Sequence, residues 1–66
     1  MKFQTRFKEL RTEKGVTQLE IAQKMNMSKM AISHWENGNS EPSIEQLKFL
    51  ANFFDVSIDY LIGYDN

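Results

Sequence analysis

A chain of 66 residues, 41% hydrophobic and 26% charged, has room for one small core and no second domain. Its lack of cysteine excludes a disulfide framework, a thiolate zinc site and a cysteine nucleophile, and suits a reducing cytoplasm. One histidine and no acidic cluster argue against a metal, and a formal net charge of −1 argues at first against a polyanionic partner.

Met1 to Leu10 mix Lys2, Arg6, Lys8 and Glu9 into their apolar positions, unlike a signal peptide. No segment approaches the ~20 apolar residues of a membrane span, so a soluble, cytoplasmic protein is expected. Phe3, Phe7 and Leu10 share a helical stripe and Gly15 supplies a stop, which predicts a helix over Phe3 to Lys14. Thr17 and Glu20 have the spacing of a capping box, with Val16 and Ile21 as its hydrophobic staple. The second helix runs to about Met25, where Asn26 tolerates a left-handed backbone.

The same grammar repeats at Met27, Ser28 and Ile32, opening a third helix that ends near Asn37 and Gly38. A polar connection follows, then a capping box of Ser43 and Gln46. The fourth helix carries a broad apolar face of Ile44, Leu47, Leu50, Ala51 and Phe54. Val56, Ser57 and Leu61 announce a fifth. The fold class is therefore all-α: a compact bundle of five short helices spanning residues 1–66 as a single domain.

The neutral total hides a split. Residues 1–33 sum to +4 and residues 34–66 to −5, which directs attention to a polyanion on the first half. Helix two, a turn of about three residues and helix three, together about residues 17–37, have the size of a helix-turn-helix. At about 100° per residue, Ala31, Ile32 and Trp35 fall on one side of helix three. Lys29, Met30, Ser33, His34 and Asn37 fall on the other, a set short enough to enter a major groove about 12 Å wide.

At this point the residues resemble the lambda-repressor-like regulators, the Cro or xenobiotic-response-element type. The match runs through Phe7-Lys8-Glu9-Leu10-Arg11, Gly15-Val16-Thr17-Gln18, Ile21-Ala22-Gln23-Lys24 and Ser28 to Gly38. It continues through Pro42-Ser43, Leu47, Leu50-Ala51, Phe54-Asp55-Val56-Ser57 and Tyr60-Leu61-Ile62. The resemblance implies a sequence-specific double-stranded DNA-binding transcriptional regulator, bacterial or phage-encoded, most commonly a repressor that occludes a palindromic operator as a dimer. It implies base contacts from Lys29, Met30 and His34, and backbone contacts from Gln18, Ser28, Ser33, Asn37, Gln23, Asn39 and Ser40. It also suggests a structural ion pair between Arg11 and Glu36.

Five positions depart from the family's habit, and at three of them, Lys29, Met30 and His34, many relatives carry Arg or Gln. Met30 cannot make a bidentate hydrogen bond and would read shape or a thymine methyl; Asn26 stands where glycine is usual; and Glu41 stands where bases are common. Lys29 is the only lysine or arginine on the outward face of helix three, so one domain should bind weakly. Ile58, Tyr60, Ile62 and Tyr64 are the candidate contact between two copies, in a homodimer weak in free solution. Ile58 and Ile62 would serve equally well to finish the core with Leu61.

Two other classes compete with this reading. An enzyme lacks support: there is no nucleophile–base pair, phosphate loop or carboxylate pair, and no catalytic residue, cofactor or small-molecule substrate is expected. An antitoxin or protein-interaction module using the same helices is the alternative, because the acidic second half suits a basic partner. An antitoxin usually carries extra length to wrap its toxin, whereas this sequence stops soon after helix five.

Overall fold

The computed structural model describes residues 2–64, and these form five α-helices with no strand among them. They are α1 (Phe3–Lys14), α2 (Gln18–Lys24), α3 (Lys29–Glu36), α4 (Ile44–Phe54) and α5 (Ile58–Ile62). The first has the bounds that the sequence predicts. The second and third stop one residue short of their expected ends, with Met25 and Asn37 as C-caps.

Local chemistry sets the boundaries. Thr17, Ser28, Ser43 and Ser57 each turn a side-chain oxygen toward the free backbone N–H three residues on. At Thr17 and Ser43 the bond is returned, by Glu20 to the Thr17 N–H at 3.0 Å and by Gln46 to the Ser43 N–H at 2.8 Å. Left-handed residues then turn the chain out of the helices. Asn26, at φ 57°, lets the Met27 N–H donate back to the Ala22 carbonyl at 2.8 Å. Asp55, at φ 56°, ends α4 in the same way and was not foreseen.

Trp35 stands at the centre of the core. Phe3 and Phe7 meet its ring edge-on, with centroids 5.8 and 5.7 Å away, and stack on each other at 5.3 Å. Ile21, Ala22, Ile32, Leu47, Leu50 and Leu61 complete the buried set, so all five helices contribute to one core. Ile44 is an exception to the expected apolar face of α4. It occupies the first position of that helix, one turn before Leu47, and is 65% exposed.

Ile58 and Ile62 are half-buried and pack against the core, whereas Tyr60 and Tyr64 are exposed. Arg6 covers one face of Tyr60, its guanidinium carbon 4.3 Å from the ring centroid. The four residues proposed for a contact between copies therefore divide in two: a core-facing pair and a solvent-facing pair. No helix among the described residues is long and apolar enough to cross a membrane.

Candidate nucleic-acid interface

The third helix is presented rather than buried. Ile32 and Trp35 anchor it inward, and the outward side carries Lys29, Met30 and His34, all exposed, with Met30 at 68%. Asn37 is exposed one turn beyond Ser33, and its amide donates weakly to the Ser33 hydroxyl at 3.5 Å. Ser28 accepts from the Ala31 N–H through its oxygen at 3.1 Å, which leaves the hydroxyl proton available to an acceptor such as a phosphate. Gly38, at φ 77°, folds the chain back so that the Asn39 N–H donates to the His34 carbonyl at 2.9 Å. Asn39 and Ser40 then lie exposed beside the end of α3, and Gln23 is exposed on α2.

Ser33 and Gln18 are half-buried, and Gln18 differs in bonding to a residue of another helix. Its Nε2 donates to Glu36 Oε1 at 3.0 Å. Glu36 also accepts from Arg11, from Nε at 2.6 Å and from Nη2 at 3.2 Å, a bidentate fork. The remaining Arg11 amino group, Nη1, donates to the Val16 carbonyl at 2.8 Å. The expected Arg11–Glu36 pair is thus present, with side chains 14% and 4% exposed. It forms a node joining α1, the loop before α2, the first residue of α2 and the last residue of α3.

The node leaves Gln18 with one uncommitted N–H on Nε2 and holds its amide in one orientation. A phosphate at this point would meet a donor held beside a neutralised pair rather than beside a bare carboxylate. The Gln18–Glu36 bond joins residues 18 apart, and no local pattern announces it beyond the placement of both residues at helix ends.

One carboxyl group is perturbed nearby. Glu20, on the exposed side of α2, is held below its ordinary value of 4.5 by the Thr17 backbone N–H, then by the Thr17 hydroxyl, with a contribution from Lys24. Among the described residues no group of His, Cys, Asp and Glu is arranged to hold a metal ion.

An inward-anchored third helix, a short turn after α2 and an exposed polar face on α3 define a helix-turn-helix, and comparison with known proteins agrees. The helix-turn-helix family profile matches residues 7–61, and the chain belongs to this family, of the Cro/CI type. It is similar to the transcriptional activator BcrR of Enterococcus faecalis, at 42% identity over 96% of this chain and 31% of that protein. It is 40% identical to the transcriptional regulator ImmR of Bacillus subtilis, over 91% of this chain and 47% of that protein. A solved transcriptional regulator from Listeria innocua superimposes with a TM-score of 0.91 at 33% identity, covering 97% of this chain and 60% of that one. The chain spans about a third to a half of the length of these two curated relatives.

Proposed function

We propose that this domain binds double-stranded DNA sequence-specifically and regulates transcription from the site it occupies. The observation that carries the reading is the outward face of α3, where Lys29, Met30 and His34 stand clear of a core that Ile32 and Trp35 anchor. Lys29 can donate to guanine O6 or N7, His34 can donate or accept at a base edge, and Met30 can pack on a thymine methyl. The N-terminal N–H groups of α2 and α3, together with Gln18, Ser28, Ser33 and Asn37, suit phosphate oxygens that fix the register. Gln23, Asn39 and Ser40 extend that set along the backbone.

With one lysine on the reading helix, two domains on successive major grooves, about 34 Å apart, give the affinity that one lacks. The site is then palindromic, and Tyr60 and Tyr64 are the side chains best placed to meet a second copy. Where the bound site overlaps a promoter, occupancy blocks it, and repression of this kind is the mode proposed. Selection of bound duplexes from a random library, followed by sedimentation of the selected complex, tests this reading. A symmetric consensus carrying two chains is expected; no enrichment above random sequence refutes the reading.

A further inference from the structure

The outer side of α4 carries a second exposed feature, built from residues that the DNA reading does not use. Phe49 and Phe53, one turn apart, stack with centroids 6.0 Å apart and planes 11° apart. Phe53 also meets Phe54 edge-on at 5.0 Å, whereas Phe49 is 38% exposed. Two ammonium groups converge on the Phe53 ring: Lys14 Nζ, from the end of α1, at 5.0 Å from the centroid, and Lys24 Nζ, from the end of α2, at 5.9 Å. Neither lysine is within ion-pair distance of a carboxylate among the described residues. Glu20, one turn before Lys24, attracts it from beyond ion-pair distance, with its carboxylate engaged by Thr17.

A ring face attracts each ammonium, but two cations gathered at one ring repel each other. An anion paired with either ammonium relieves that repulsion. Beside Phe49 lies an open groove of about 280 Å³, lined also by Lys24, Met25, Asn26, Glu45 and Gln46. Phe49 and Met25 form its apolar wall, and the Asn26 amide offers a donor and an acceptor to a backbone, while the Gln46 amide is held by the Ser43 N–H and by Met27 Sδ. The Glu45 carboxylate at the rim lies 3.6 Å from Lys48 Nζ, and its remaining charge disfavours the continuous charge of a phosphodiester chain more than the spaced charges of a peptide.

We propose that this face docks an acidic peptide segment of a protein partner that bears a large apolar side chain. Its carboxylates pair with the Lys14 and Lys24 ammonium groups, and the apolar side chain rests on Phe49 against Met25. None of these residues belongs to α3 or to the connection after it, so the segment can dock while α3 lies in a groove of DNA. The proposal stands independently of the DNA reading.

The probe is a short synthetic peptide in which one Phe and one Leu are set among aspartates, titrated into the ¹⁵N-labelled chain. Saturable shifts of the Lys14, Lys24, Phe49 and Phe53 amides are expected. The paired change Lys14→Ser with Lys24→Ser should weaken binding about tenfold while the rest of the spectrum keeps its pattern. Phe49→Ser should weaken it to a similar degree. Equal binding of the peptide with asparagine for aspartate, insensitivity to the lysine changes, or shifts confined to α3 would each overturn the proposal. So would displacement of the peptide by a single-stranded oligonucleotide of matching charge, because it would mean that the face prefers nucleic acid.

Discussion

Replacing Arg11 with methionine removes the bidentate contact to Glu36 and the bond to the Val16 carbonyl, while leaving the Glu36 side chain 4% exposed with only Gln18 beside it. Stranding one charge of a buried pair costs about 3–5 kcal/mol. The Arg11 side chain, at 14% exposure, is not wholly screened from water, so the lower end of that range applies. A 66-residue domain at ~0.05–0.15 kcal/mol per residue holds only about 3–10 kcal/mol in total. The change therefore removes about three-tenths of the stability or more.

In a domain of this size, about 1 kcal/mol moves the melting temperature by about 4–8 °C, so a loss of at least about 12 °C is expected in far-ultraviolet circular dichroism. The second measurement isolates the cause. If the stranded carboxylate is responsible, Arg11→Met combined with Glu36→Met should melt above the single variant, because replacing both charges with apolar groups of similar volume is often near neutral. A single variant that melts like the wild type, or a double variant that melts below the single one, would refute the reasoning.

Three further outcomes are expected. Lys29→Ala should cost about 1–3 kcal/mol on a selected duplex and less on a scrambled one, whereas Gln18→Ala should weaken both alike; competition binding on the two duplexes separates these cases. The Glu20 carboxyl is lower in the folded domain than its ordinary 4.5, so its contribution to stability is complete above that value and disappears as pH falls through the folded value. Glu20→Gln keeps an N3 side chain able to cap and should flatten the acid limb of melting temperature against pH; a limb as steep as the wild type's would exclude Glu20 as its source. Tyr60→Lys should abolish cooperative binding of two copies with the fold intact, read by sedimentation on the selected duplex. Ile58→Lys should also destabilise the domain, because Ile58 packs against the core.

The helix boundaries were legible because their causes lie within a few residues of one another. Each of Thr17, Ser28, Ser43 and Ser57 finds its backbone partner three positions on, and Gly15 and Asn26 take the left-handed backbone their residue types tolerate. Asp55 does the same, and its residue type, which tolerates that backbone, is the signal for it. The inward and outward sides of α3 followed from helical angle alone, and burial of Ile32 and Trp35 against exposure of Lys29, Met30 and His34 agrees with it. Angle does not tell how far a helix overhangs its neighbours, which is why Ile44 looked like core and is solvent-facing. Likewise, Lys14 and Lys24 meet Phe53 only because three helix ends come together, and no local pattern announces such a meeting.

The division of labour across α3 has a consequence for how such a domain can change. Glu36, at its last turn, is bound to Arg11 of α1 and Gln18 of α2, so the same carboxylate sets both the stability of the bundle and the orientation of a candidate phosphate ligand. A substitution at that node alters the two properties together. Lys29, Met30 and His34 are exposed and away from the core, and replacing exposed residues of this kind usually shifts stability by no more than about 0.5 kcal/mol. On the proposed reading, base preference can therefore be rewritten on the outward face while the Arg11–Glu36–Gln18 node stays constant. Helix pairs that keep the node and exchange the three outward residues should melt alike and select different duplexes.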